Sequence, residues 1–146
     1  MSKETDRNKK SAENIELLKA MEKKEPVASF LNMKLLELTP GYSKVSMKLR
    51  PEYLNFNDYV FGGIIMSLAD QAFAYAINSV NHPSVASQFN IHFIAGPGTG
   101  GELTAECRVV RNGRRVGISE ITVTDSEGKL IARATGTTIP VGAPDG

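Results

Sequence analysis

The sequence predicts an α+β fold in which an antiparallel sheet of about five or six strands wraps around one buried helix. Three observations carry that expectation. Gly62 to Asn78 places Ile64, Ile65, Leu68, Ala69, Ala72, Phe73, Ala76 and Ile77 around nearly the full circumference of a helix, and a helix apolar on so many sides is buried on most of them. Runs with strand-like patterning lie on both sides of it in the chain. Asn112-Gly113 and Glu127-Gly128 are two-residue hairpin signals between consecutive runs, so the last three strands form an antiparallel meander.

In chain order, Met1 to about Ala12 is polar and charged and is expected to be mobile. Ser11 to Lys24 has Ile15, Leu17, Leu18 and Met21 at helical spacing, with Glu16 and Lys19 to Lys24 on a wet face. Glu25-Pro26 ends that helix, and Val27 to Asn32 adds one more turn. Lys34 to Leu38 is a short strand closed by Pro40-Gly41. Ser43 to Arg50 alternates Val45, Met47 and Leu49 with polar residues, the pattern of a strand with one buried face, and Pro51 stops it. A loop from Glu52 to Val60 leads into the Gly62-Gly63 pair and the central helix. Strands are then expected at Val85 to Ile94, Glu102 to Arg111, Arg114 to Thr124 and Lys129 to Ile139, with a Gly-rich link at Gly96 to Gly101. The expected organisation is a polar segment with a short helix at 1–25, the domain at 26–141 and a flexible tail at 142–146. A sheet of this size leaves edges to cover or pair, which predicts a dimer.

Composition narrows the function. At 146 residues and 41% hydrophobic, the chain closes one core without disulfide or metal staples. Lys plus Arg total 17 and Asp plus Glu 16, so the charge gives no case for nucleic acid. No apolar run is long enough to span a membrane and no secretory signal is recognised, and with the single cysteine, Cys107, this predicts a cytoplasmic protein. Cys107 shares strand parity with Leu103, Ala105 and Val109 and is read as core. His82 and His92 have no Cys or Glu at ligand spacing, so no metal is expected.

Between Tyr59 and Gly101 the one formally charged side chain is Asp70, in the middle of the apolar helix. Asp is a poor mid-helix residue, so propensity does not explain it. Apolar neighbours would raise its pKa and strengthen its action on an adjacent electrophile, which makes it the leading catalytic candidate. A structural hydrogen bond, or a pair with an Arg of a second chain, is the alternative. Gly62 and Gly63 open the helix, where free N–H groups and the helix dipole suit a developing oxyanion; tight packing at a helix start would need the same residues. Asn55 is either a polar residue of the site or a turn cap. Ser87 shares parity with Val85, Phe89, Ile91 and Phe93 and so reads as a hydroxyl on the apolar face, while His92 lies on the other face. Arg111, Arg114 and Arg115 flank the Asn112-Gly113 tip, either as a phosphate-binding cluster or as a solvated hairpin end.

Asn55, then FGGIIMSLAD with Gly62, Gly63 and Asp70, then VASQFNIHFIAGP, resemble the hotdog-fold thioesterases of the phenylacetate-degradation (PaaI) type over roughly Phe30 to Val141. The resemblance implies a long central helix wrapped by a curved sheet, a homodimer that joins two sheets, and often a dimer of dimers. It also implies hydrolysis of acyl-CoA thioesters, aryl-acetyl or medium-chain, in a tunnel between subunits, with coenzyme A as part of the substrate and no other cofactor. By position, Asp70 resembles the catalytic carboxylate, Gly62 the oxyanion donor, Asn55 the residue that positions substrate or water, and Ser87 a pocket serine. Asp70 follows Gly62 by eight residues, about 12 Å along a helix, too far for both to act on one carbonyl. The resemblance implies that they come from different subunits. Asp70 then acts as nucleophile or as general base, and residue types alone do not choose.

The pattern departs from the family at two positions. Phe61 stands where a His usually precedes the two glycines, and Phe56 where a small residue is common. Phe61 favours a second reading, a non-catalytic module that binds acyl-CoA without cleaving it. Alternatively, the aromatic pair enlarges the apolar wall of an acyl pocket. A hotdog dehydratase is a third reading, disfavoured because no His lies near Asp70 or at the helix start.

Overall fold

Each element follows from a local signal and from what it packs against. The structure, a computed structural model, describes residues 2–142. Of the expected tail at 142–146, residues 143–146 lie outside the described residues. Helices α1 (Lys3–Glu22) and α2 (Pro26–Phe30) precede strands β1 (Met33–Thr39) and β2 (Tyr42–Lys48); a 3-10 turn at Pro51–Tyr53 and helix α3 (Gly62–Val80) follow. The chain then runs through β3 (Ser84–Phe93), β4 (Glu102–Asn112), β5 (Gly117–Thr124) and β6 (Leu130–Pro140). The six strands form one antiparallel sheet in the order β1-β2-β4-β5-β6-β3. This is the expected hotdog architecture, with β4-β5-β6 as the meander. Among the described residues, no helix is long and apolar enough to cross a membrane.

Helix α3 touches every strand of the sheet. Its inner side mixes small and large residues: Ala69, Ala72 and Ala76 are fully buried alongside Leu68 and Ile77, and Phe73 is the largest fully buried side chain. The Phe73 ring lies against the Phe89 ring at 5.6 Å between centroids, within the range of a favourable tilted aromatic pair. It also lies directly over Gly136 on β6, where a Cβ would overlap several ring atoms. Val45, Met47 and Leu49 are buried as their alternation predicts. Cys107 is fully buried, and burial pushes its thiol up to about 12.

Three expectations are corrected. The first residues are not a loose segment. Helix α1 starts at Lys3, its end capped by Ser2 Oγ accepting from the Thr5 N–H at 3.1 Å. It is held by polar contacts that a search for apolar periodicity misses: Ser11 and Asn14 are buried with Leu18, and Asn14 Nδ2 donates to the Ser79 carbonyl at 3.3 Å. The β4–β5 connection is not a two-residue turn at Asn112-Gly113. Asn112 pairs with Gly117, and the loop is 113–116, closed by Gly113 N–H to the Val116 carbonyl at 3.0 Å. A bulge between Val109 and Arg111 shifts the register, and Asn112 is drawn toward the end of α3, where its Nδ2 donates to the Val80 carbonyl at 3.5 Å. The β5–β6 turn is likewise longer than two residues: Asp125 Oδ1 accepts from the Glu127 and Lys129 N–H groups, both at 2.9 Å, and Gly128 takes φ +84°.

The Phe73–Gly136 contact yields a stability prediction. Gly136→Ala forces a fully packed ring to shift, and overpacking of this kind costs about 1–3 kcal/mol. Thermal unfolding should show a lowered midpoint, largely restored by adding Phe73→Leu, which clears the overlap.

Candidate active site

The start of α3 is shaped by the loop before it. Asn55 Oδ1 accepts from the Asn57 N–H at 2.9 Å and the Tyr59 N–H at 3.2 Å, and the Asn55 N–H donates to the Tyr59 carbonyl at 2.7 Å. Asp58 sits at φ +60° inside this turn. The Asn55 oxygen therefore organises the loop, as the turn-cap reading expected, and its side-chain amide group makes no hydrogen bond among the described residues. Phe61 N–H donates to the Tyr53 carbonyl at 2.8 Å, which ties the loop's two ends together where α3 begins.

Phe61 is the N-cap of α3 and offers no side-chain acceptor. Its carbonyl takes the Ile64 N–H at 2.9 Å and the Ile65 N–H at 3.4 Å. The Gly62 and Gly63 N–H groups have no acceptor among the described residues, so the positive end of the helix carries two free donors. Both glycines also serve packing. A Cβ on Gly62 would come within 3.2 Å of the Phe93 ring, and one on Gly63 within 2.7 Å of the Phe61 ring. Phe61 thus lies over bare backbone, and the ring that replaces the usual His has a structural place in this chain. A cavity of about 260 Å³ opens here, lined by Tyr59, Gly62, Ile65, Phe93 and Pro97 among others.

Asp70 lies two turns further along. Met66, Asp70 and Ala74, spaced four apart, form the exposed stripe of α3. The sequence led us to expect a carboxylate walled in by its neighbours. Within one chain it is open to water on one side, because the sheet covers the opposite faces of the helix. The groups around it still strip part of its hydration, and this desolvation raises its carboxyl above the ordinary carboxylate range. It makes no hydrogen bond or ion pair among the described residues, so the structural alternative finds no partner within the chain. The helix is unbroken from Gly62 to Val80, which leaves the free amides and Asp70 about 12 Å apart along the axis.

Other candidates fall elsewhere. Ser87 was expected on the apolar face, but β3 bulges between Ala86 and Gln88, so strand parity does not carry through it. Ser87 is exposed and its hydroxyl donates to the Thr137 carbonyl at 3.2 Å. Arg111, Arg114 and Arg115 are exposed around the β4–β5 loop, beside the C-terminal end of α3 and not beside Gly62. One cluster had no signal in the sequence. Glu25, between α1 and α2, accepts from Tyr75 Oη at 2.7 Å and from Gln71 Nε2 at 3.0 Å. These partners stand 46 and 50 residues away, and no local pattern announces such a meeting.

With this geometry in view, the chain was compared with known proteins. Residues 57–132 match the family model described as Thioesterase superfamily. The chain is 33% identical over 113 residues to the acyl-coenzyme A thioesterase PaaI of Escherichia coli, covering 77% of this chain and 81% of that one. The solved structure of the E. coli PaaI protein from the phenylacetic acid degradation operon superposes with a TM-score of 0.85 at 30% identity, covering 94% of this chain and 97% of that one. A Streptococcus mutans protein solved bound to acetyl CoA superposes with a TM-score of 0.74 at 26% identity, covering 80% of this chain and 94% of that one.

The state of Asp70 gives a pH prediction. Its folded-state pKa lies above the ordinary value, so the folded chain holds this proton more tightly than the unfolded chain, and ionisation works against folding. Asp70→Asn should fold normally and be as stable as wild type or slightly more so near neutral pH. The difference should close as pH falls and the wild-type carboxyl is protonated. Denaturant midpoints between about pH 3 and pH 7 check this; a wild type that gains on the variant as pH rises would reveal a hidden cationic partner.

Proposed function

The chain belongs to the thioesterase superfamily, a thioester hydrolase of the hotdog fold, and on that footing we propose that it cleaves acyl-CoA thioesters at sites built from two protomers. The observation that carries the reading is the pair of free Gly62 and Gly63 amides on the same helix as a partly desolvated Asp70, too far apart for one carbonyl. A second protomer with its α3 antiparallel beside the first brings each helix start to the other's carboxylate. The amide of one chain then polarises the thioester carbonyl, and Asp70 of the other attacks the carbon or draws a proton from a water that does. Asn55, through its free side-chain amide, holds the substrate or that water.

Two features support the pairing. Among the described residues, strand β3 hydrogen-bonds to β6 alone and leaves its other edge open, a row of backbone groups suited to the β3 of a second copy. Phe56 is 94% exposed, Tyr59 68% and Phe61 56%, an aromatic surface around the helix start that a monomer would leave in water. A homodimer, and a dimer of such dimers, covers these surfaces. Phe61, Gly63 and Ser87 line the substrate path in this arrangement. Because the arginine loop sits at the C-terminal end of α3, Arg111, Arg114 and Arg115 of one chain come near the partner's helix start, where they can hold the phosphates of coenzyme A. The cytoplasm, the compartment where coenzyme A thioesters are used, suits this activity. The sensing alternative rests on Phe61 alone, and its ring leaves the Gly62 and Gly63 donors free.

Thiol release from a panel of acyl-CoAs tests the reading. Asp70→Asn should abolish most turnover while the assembly stays intact. Gly62→Pro removes the amide at a helix position where Pro is tolerated, and should cost about 10²–10³ in rate. Refolding the two inactive variants together restores one intact site in each mixed dimer, about a quarter of the wild-type rate. No recovery would rule out sites shared between chains, and tight acyl-CoA binding by the wild type without turnover would select the sensor. Arg114→Ala with Arg115→Ala should raise KM for CoA thioesters roughly tenfold with kcat little changed, and should weaken the salt dependence of KM.

A further inference from the structure

The structure holds a second opening on α3, past Asp70. It is a groove of about 550 Å³ between the end of α1, α3 and the start of β3, walled by Leu18, Met21, Ala74, Tyr75 and Pro83. Its volume lies in the range of small-molecule sites. Ala74 lies one turn after Asp70 on the same exposed stripe, so the groove opens beside the carboxylate. Except for Lys24, which lines the groove with no partner among the described residues, the polar side chains along it are engaged with one another or with the backbone. Tyr75 Oη and Gln71 Nε2 both donate to Glu25, and His82 Nδ1 shares a hydrogen bond with Asn78 Oδ1 at 3.0 Å. Apart from Lys24, whose side chain is exposed, an occupant meets apolar walls and polar groups already engaged with one another, which favours a hydrocarbon over a polar ligand.

We infer that this groove receives the acyl tail of the substrate and sets its length. The inference rests on the thioesterase reading, since it assumes a thioester carbonyl at Asp70. From Asp70 to Asn78 the helix rises about 12 Å, which matches an extended tail of roughly eight to ten carbons. Met21 and Leu18 come from α1, so the N-terminal helix supplies one wall of the site. Glu25 fastens that wall by gripping Tyr75 and Gln71 across the elbow between α1 and α2, which keeps the groove from collapsing against α3.

Two variants test this without relying on one outcome. Ala74→Phe projects a ring into the groove, and the ratio of kcat/KM for octanoyl-CoA to that for acetyl-CoA should fall about a hundredfold. The chain has no tryptophan, so Met21→Trp places a single fluorophore on the groove wall. Its emission should shift to the blue, saturably, with octanoyl-CoA and not with coenzyme A alone. An unchanged chain-length ratio in folded Ala74→Phe, or an equal response to coenzyme A, overturns the inference. So does a blue shift that grows with protein concentration before any ligand is added, because a second copy of the chain would then fill the groove. If the wild type releases no thiol from any acyl-CoA, the thioesterase reading fails, while the fluorescence measurement still decides whether the groove takes the tail.

Discussion

The closeness with which the sheet can approach α3 governs the rest of the molecule. Three fully buried alanines on the helix and a bare Gly136 on β6 let backbone and helix come together with Phe73 seated between them. Dispersion contacts fall off steeply with distance, so a core built this way fixes the rotation of the helix about its own axis. Once that rotation is set, the residues left outside are decided as well: Met66, Asp70 and Ala74 face away from the sheet because Ala69, Ala72, Phe73 and Ala76 must face it.

The same constraint keeps the free amides and Asp70 apart within one chain, which is why the proposed site draws on two. The free amides belong to the first turn of α3, and the carboxylate stands two turns later on a helix that cannot bend to join them. Backbone donors without acceptors, a carboxylate partly stripped of water, and exposed aromatics at the helix start are each unfavourable in isolation. In the proposed dimer, a second copy laid alongside relieves all three. Phe61 fits this logic: its ring covers Gly63 while leaving the amides without an acceptor among the described residues.

Helix α1 shows polar residues doing what apolar ones do elsewhere. Ser11 and Asn14 are buried against α3, and Glu25 is held by Tyr75 and Gln71. Hydrogen bonds to a charged carboxylate are stronger than neutral ones and directional, so this attachment places the N-terminal segment at a defined distance from α3 and holds a groove open beside Asp70.

The sequence by itself determined the helix from Gly62, the glycine pair at its start, the lone Asp70 within it, the buried faces of β2 and β4, and the meander that ends the fold. All of these are written in periodicity or in the conformational needs of single residues, which act over a few positions. Only the tertiary structure decided that α1 reaches back to Lys3, that Ser87 sits in a bulge facing water, that the β4–β5 turn slides past Asn112-Gly113, and that Glu25 meets residues almost fifty positions away. It also decided that Asp70 faces outward, since a helix apolar on most sides still has one face left over, and which face that is depends on the packing of the whole sheet. Such outcomes come from contacts between distant segments competing with local preference, and no window of sequence contains both partners.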